Sequence, residues 1–422
     1  MKSSNNIENN KYSIAIACPG RRRTLQQASE LYSKGWLTKW ITSSYLFGKV
    51  LSRKSPLKGL DSGNIPSKYV RSIIFSELLF KSTSSFTFLK RFRADLWEYR
   101  NSIFAKKALS TLEKSGHCDL YYGYSSGCGE TSRFLVEMKS SQKTMVAIEQ
   151  ASAPQYFEKM RLSQELQKWP HAGQVSALEM PKFLEIDEEI EHKNADAIIV
   201  ACDFIRNILV NKGIDEQKIH ILQKGIDTQF FTPDSLSEYT VNSPLNIIYA
   251  GNISLLKGVP YLLEAVKKIG SKYVHLNIVG KNQLSQKFIK QYEDVATFHG
   301  HVDKYRLREL YRANDIYIHP SLSESNAYVV SEAMACGLPA IATYESGSFV
   351  RNGVDGFEIP SANIEAIISA ISFFIENPKK INDFGINAHS NAKSFDIRDY
   401  GKRYSSTIDQ ILSKNQFKRQ LV

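Results

Sequence analysis

The stretch "HPSLSESNAYVVSEAMACGLPAIA", residues 319–342, sets Glu324 and Glu332 with seven residues between them across a change of secondary structure. "DIYIHPS" (315–321) reads as a buried strand, and "AYVVSEAMACG" (327–337) as a helix that stops at Gly337, just before Pro339. Ser325 or Asn326 is the expected helix cap. The amides of Ala327 and Tyr328 would then be free at a helix start, a position that favours phosphate. Glu324 falls in the loop before the helix and Glu332 about one and a half turns into it, so both can face one ligand. Carboxylates accept hydrogen bonds and suit vicinal hydroxyls better than phosphate. A ligand that combines anionic phosphates with polyols on both sides is a nucleotide sugar. Against this stands the bland alternative of a solvated Glu324 and a Glu332 paired with a nearby base.

The same strand–turn–helix rhythm extends outward in both directions. "LNIIYAGN", "VHLNIVGK", "VATFHGH" and "PAIATYES" are further strands, alternating with the helices "GVPYLLEAVKKIG", "SQKFIKQYED" and "KYRLRELYRAN". Towards the N-terminus, "YSIAIACPG", "CDLYYGYS", "KTMVAIEQ", "DAIIVACD" and "KIHILQKGI" read as strands. "TLQQASELYSKG" reads as a helix, and "FRADLWEYRNSIFAKKALSTLEKSG" as a long one ended by Gly116. Continuous apolar strands joined by helices imply parallel sheets covered on both faces. "DTQFFTPDSLSEYTVNSP" (227–244) has no period and is the best linker. The expectation is an α/β protein of two doubly wound, Rossmann-like domains facing across a cleft, with ligands at the carboxyl ends of the strands.

Length and composition agree with this. The 422 residues are long for one core, and 42% hydrophobic content is that of a globular chain. No run approaches the 18 or so apolar residues that span a bilayer. The N-terminal "MKSSNNIENNKYS" has no apolar export core, and Cys18, Cys118, Cys128, Cys202 and Cys336 form no pair or cluster suited to zinc. The reading is a cytoplasmic protein with buried thiols. Charge is uneven: residues 1–110 carry 20 basic and 6 acidic residues, a net of +14, while the remaining 34 basic and 37 acidic give −3. Such a basic region is either a set of solvated helix faces or a surface for anionic lipid or an acidic acceptor. No recognisable nucleic-acid module accompanies it.

A second cluster precedes the carboxylates. "YAGNISLLKGVPYLLEA" (249–265) puts Lys257–Gly258 in a glycine turn before a helix, where a lysine can neutralise a diphosphate. Together with "VGK" (279–281), "FHGHVDKYRLRELYRANDIYIHPSLSESNAYVVSEAMACGLPAIAT" (298–343), "ESGSFVRNGVDGFEIP" (345–360) and residues 195–233, these segments resemble glycosyltransferase family 4, the retaining GT-B enzymes with a Glu-x7-Glu signature. The resemblance covers the C-terminal half. In the first 150 residues only the fold rhythm is shared.

The resemblance implies an N-terminal acceptor-binding domain (1–228), a donor-binding domain (245–395) and a C-terminal helix (396–422) returning toward the first domain. It implies that Lys257 binds the donor diphosphate, Glu332 the ribose hydroxyls and Glu324 the transferred sugar. The backbone of Ser325, Asn326, Ala327 and Tyr328 lies near sugar and phosphate. Gly251, Asn252, Gly258, Gly280 and Val302 complete the donor loops. Gly20 and Arg21 belong to the acceptor and phosphate loop. The implied reaction is metal-independent transfer from a UDP or GDP sugar, as co-substrate, to a glycan or lipid-linked glycan in surface polysaccharide or lipopolysaccharide assembly. The protein would work at the inner face of the cytoplasmic membrane.

Three departures stand out. Asn252 follows Gly251 where the family has arginine, and Arg21 to Arg23 or Arg206 are the candidates to substitute for it. Glu149 and Gln150 stand where the first domain has a histidine near the reaction centre, and His171 is a weaker candidate for that place. "CPGRRR" lacks the paired glycines of the first loop. A catalytically silent sugar-nucleotide-binding subunit is therefore the alternative, distinguished by absence of turnover. A nucleotide-sugar epimerase would need other acid/base carboxylates, and a dinucleotide oxidoreductase a G-x-G-x-x-G that neither half contains.

Overall fold

A computed structural model describes residues 11–19, 24–43, 65–74, 77, 79–80, 93–116, 118–125, 144–173, 183–234 and 244–420. The first domain holds strands β1 (Ile14–Cys18), β2 (Leu37–Thr42), β3 (Val70–Ser72), β4 (Leu120–Tyr124), β5 (Met145–Glu149), β6 (Ala197–Val200) and β7 (Ile219–Ile221). Between them run helices α1 (Thr24–Ser33), α2 (Arg93–Ser115), α3 (Gln155–Lys168), α4 (Phe183–Asn194) and α5 (Asp203–Asn211). The sheet order is β3-β2-β1-β4-β5-β6-β7, all parallel.

The second domain holds β8 (Leu245–Ala250), β9 (Val274–Val279), β10 (Ala296–Gly300), β11 (Ile316–His319), β12 (Ala340–Thr343) and β13 (Gly356–Ile359). Its helices are α6 (Val259–Ile269), α7 (Gln286–Ile289), α8 (Lys304–Arg312), α9 (Tyr328–Ala335), α10 (Ile364–Glu376) and α11 (Lys379–Lys393). This sheet is also parallel, in the order β10-β9-β8-β11-β12-β13. The helix read at "SQKFIKQYED" is only one turn of α-helix, capped by the Ser285 hydroxyl, before it tightens into a 3-10 turn at Lys290–Tyr292. Strands β2, β3 and β13 and helices α3, α4 and α5 were not singled out from the sequence.

Side-chain alternation explains why the strands are apolar on both faces. Ile247 and Tyr249 enter one core layer of the second sheet, and Ile248 and Ala250 the opposite one. Ala15 and Ala17, against Ile14, Ile16 and Cys18, do the same in the first. All four described cysteines are buried and unbridged. Among the described residues no helix is long and apolar enough to cross a membrane.

Two segments tie the domains together. Helix α12 (Tyr400–Gln420) lies on the first domain: Tyr404, Ile408, Ile411 and Leu412 join its core, and Ser405 donates to Glu30 at 2.9 Å. Helix α3, although it precedes the linker, sends Leu162 into the core of the second domain. Tyr261 of α6 donates to Glu165 at 2.6 Å, and Arg161 donates to Ser361 at 3.1 Å.

Candidate active site

In each sheet the strand order reverses between its first and fourth strands. Crevices for ligands open there, beyond the carboxyl ends. In the second sheet those strands are β8 and β11. The loop after β8 carries Gly251, Asn252, Lys257 and Gly258, and the loop after β11 carries Glu324 to Ala327.

Glycine holds these loops together. Gly258 has φ +66°, and a Cβ there would lie 1.9 Å from the Pro320 carbonyl oxygen. A Cβ on Gly280, at φ +145°, would lie 1.7 Å from the Gly251 carbonyl oxygen. Only hydrogen allows backbone to pack so closely on backbone. Lys257 is consequently brought against Glu324.

The Lys257 ammonium lies 2.8 Å from Glu324 Oε2, and His319 Nε2 lies 2.8 Å from the same oxygen. Burial pushes the Glu324 carboxyl up, but the charges of Lys257 and His319 and their hydrogen bonds outweigh it and hold the group down at about 2. His319 was missed in the sequence reading. It is fully buried, stacked on Tyr249 with centroids 5.5 Å apart and on Tyr317 at 6.1 Å. Its Nδ1 is 3.1 Å from the Tyr317 hydroxyl, which is also 3.1 Å from the Ala250 carbonyl. That hydroxyl has one proton to give. An ionised carboxylate only accepts, so Nε2–H is the donor to Glu324. The available signal was a polar residue ending an otherwise apolar strand.

The helix start differs from the expectation. Helix α9 begins at Tyr328 with Ala327 as its cap, and no side chain caps it. Ser325 Oγ instead donates 2.7 Å to the Ala151 carbonyl of the first domain. The expected free amides are engaged: Ala327 N–H donates to Ser346 O at 3.0 Å and Tyr328 N–H to Asn326 O at 2.9 Å. Interdomain contact and a tight local turn have taken the groups that sequence proximity assigned to capping and to phosphate. Glu332 is half-buried and hydrogen-bonded to the Tyr311 hydroxyl, on the same helix that Glu324 precedes. Val302 is half-buried against the core beneath α9. Asn252 is exposed and borders a cavity of about 750 Å³ lined also by Gly280, Lys281, Phe298, Gly300 and His301.

Across the cleft, Glu149 ends β5 but is only 3% exposed. One carboxylate oxygen pairs with Lys224. The other accepts from Tyr122 at 2.5 Å and from Gln27 at 3.0 Å. Burial pushes its carboxyl up, and Lys224 with these hydrogen bonds brings it below the usual glutamate range. Arg206 does not stand in for the missing arginine. It pairs with Asp203 at 2.8 Å, because the two are three residues apart on α5. His171 is exposed in the loop after α3, where its carbonyl accepts from Ser285 at 3.1 Å. Gly20 and Arg21 to Arg23 lie outside the described residues.

Residues 244–377, which hold Lys257, Glu324 and Glu332, match the family described as Glycosyl transferases group 1. The match falls within the C-terminal domain. The D-inositol 3-phosphate glycosyltransferase of Xylanimonas cellulosilytica is 31% identical over 200 residues, 42% of this chain and 48% of the relative. The chain spans about half the length of the curated relatives it matches. Solved structures resemble it over nearly their whole length. Anabaena Alr3699/HepE in complex with UDP-glucose has a TM-score of 0.58 at 15% identity, covering 94% of this chain and 99% of that one. The lipopolysaccharide outer core galactosyltransferase WaaB has a TM-score of 0.60 at 13% identity, with 94% and 99% covered. At such identities the likeness concerns the fold. The group 1 domain and its partner form a GT-B fold, two Rossmann-like α/β units.

Proposed function

We propose that the protein is a retaining glycosyltransferase that moves a sugar from a nucleoside-diphosphate sugar to a glycan or lipid-linked glycan in surface polysaccharide or lipopolysaccharide assembly. The observation that carries this reading is the Lys257–Glu324–His319 cluster at the mouth of the group 1 domain. A cation and a carboxylate that neutralise each other at rest are ready to exchange partners. An incoming diphosphate draws Lys257 away, and Glu324, still held by His319, turns its free acceptor capacity to the sugar hydroxyls. As the glycosidic bond to phosphate breaks, Lys257 meets the charge left on the diphosphate, with no metal called for. Glu332 takes the ribose hydroxyls. The cavity beside Asn252 is of a size for a nucleoside. The UDP-glucose bound by the Anabaena relative makes uridine the first base to try. The basic excess of residues 1–110 supports work on a lipid-linked acceptor at an anionic membrane, at its cytoplasmic face.

The test is thermal stabilisation of the full chain by UDP, GDP and other nucleoside diphosphates, with Glu332→Ala as control, followed by turnover of the matching sugar nucleotides. A shift with one diphosphate that the variant loses, with release of that diphosphate from its sugar, supports the proposal. Binding without turnover points to the silent subunit, and no shift with any nucleotide refutes a donor site. The anomeric coupling constant of the product decides retention. Salt-sensitive co-sedimentation with anionic vesicles tests the membrane partner.

A further inference from the structure

A groove on the first domain lies at the opposite end from the crevices. Helix α2 ends at Ser115, just before β4 starts at Leu120, so its last turns stand at the amino ends of the strands. Phe104, Ala108 and Leu112 bury one stripe of α2 in the core that also holds Ile41 of β2. The neighbouring stripe, Lys107, Ser110, Thr111 and Lys114, keeps the same three- and four-residue spacing. Across from it stand Lys39, which shares the sheet face of Ile41, and Arg71, the register partner of Ile41 on edge strand β3. With Thr38 and Ser115 these side chains line a cavity of about 490 Å³.

Every side chain lining that cavity is a cation or a hydroxyl. None of its four cations pairs with a carboxylate among the described residues, and only the Lys39 ammonium has a partner, the Lys68 carbonyl at 2.6 Å. Lysines elsewhere in the same domain do find one: Lys159 pairs with Glu185, and Lys212 with Glu189 at 3.1 Å. The helix dipole accounts for Lys114, which lies in the last turn of α2. It gives no reason for Lys39 and Arg71, which sit on strands. Four like charges around one hollow repel one another, and an anion that fills it turns the repulsion into attraction.

We propose that this groove binds a phosphorylated ligand, one carrying a phosphomonoester dianion or two phosphates, at a site separate from the donor crevice. Arginine meets a phosphate with two parallel N–H bonds and lysine meets it as a point charge, so Arg71 orients the group and the lysines neutralise it. The volume suits a phosphorylated polyol, free or as the headgroup of a lipid. Its placement keeps this ligand out of the reacting crevice, so the ligand anchors or modulates the protein and is not consumed. The site therefore stands or falls independently of the transferase reading.

The experiment uses the full chain and two double variants. Arg71→Gln/Lys107→Gln removes two exposed charges from the groove, and Lys106→Gln/Lys193→Gln removes the same charge from exposed positions outside it. Thermal melts check that both fold. Calorimetry measures binding of glycerol 3-phosphate with and without UDP, and co-sedimentation measures binding to phosphatidylcholine vesicles with and without phosphatidic acid. The groove variant should bind whichever probe the wild type takes more weakly by roughly tenfold or more, the loss of charge-assisted contacts. The control variant should stay within about twofold, and UDP should leave glycerol 3-phosphate binding unchanged. Binding of glycerol 3-phosphate alone assigns the site to a soluble ligand, and binding of the phosphatidic acid vesicles alone assigns it to a lipid headgroup. A wild type that binds neither probe overturns the proposal. So does an equal loss in both variants, which makes the effect one of net charge. Displacement of glycerol 3-phosphate by UDP overturns it as well, because the anion then sits in the crevice.

Discussion

Replacing Lys224 by methionine separates a structural from a catalytic role for Glu149. Both side chains are largely buried, 12% exposed for Lys224 and 3% for Glu149. Lys224 also lies 3.3 Å from the Tyr400 hydroxyl, which accepts from Gln27 at 3.0 Å, so the pair is the centre of a network reaching α12. Methionine keeps the stem and deletes the charge, which strands a buried carboxylate. Removing one partner of such a pair costs about 3–5 kcal/mol. The first domain should then melt about 6–20 °C lower, at roughly 2–4 °C per kcal/mol for a domain of this size. The double variant Lys224→Met/Glu149→Gln carries no unpaired charge, and should recover most of the loss.

The sign with pH follows from the direction of the Glu149 shift. Its folded-state affinity for protons lies below the ordinary value of 4.5, so its stabilisation is complete above that value and fades as pH falls further. Lys224→Met should therefore flatten the acid end of the stability curve. Urea and thermal melts of the four species from pH 3 to 8 provide the assay. A single variant within 1 kcal/mol of wild type, or a double variant no better than the single, refutes the structural assignment. If Glu149→Gln folds normally yet loses turnover by about 100-fold or more, Glu149 is catalytic instead.

Three further predictions concern the donor side. Gly258→Ala places a methyl on the Pro320 carbonyl and a side chain at positive φ, a strain of about 1–3 kcal/mol before the clash is counted; it should separate Lys257 from Glu324, and calorimetry should show at least tenfold weaker diphosphate binding. Glu332→Ala should weaken nucleotide affinity by roughly 1–3 kcal/mol, the value of a charge-assisted hydrogen bond, and an unchanged Kd removes Glu332 from the site. His319→Ala releases one side of Glu324, so kcat should fall by up to about 100-fold while diphosphate affinity holds within threefold; equal losses in both would make His319 only a packing residue.

Much of this protein was legible in one dimension. Parallel sheets covered on both faces show as uninterrupted apolar runs such as "LNIIYA", because each strand buries both of its faces. Glu324, Lys257 and Glu332 were found because each lies within a few residues of a strand end or helix start, and strand–turn–helix order already brings the ends of β8 and β11 toward one crevice. What failed depended on partners distant in sequence. Edge strand β3 is three residues long and half-exposed, too short for any period to register. Ser325 reads as a cap until the first domain supplies the Ala151 carbonyl, 174 residues away. Glu149 reads as a free carboxylate at a strand end until Lys224, 75 residues later, closes on it. Residues 155–168, helix α3, fall within the expected first domain (1–228), yet Leu162 is buried in the core of the second. Local pattern records which side of an element is buried. Which atoms meet that side is decided by how the elements pack, and in this protein the packing decides whether a carboxylate is held as a structural ion or left facing the cleft.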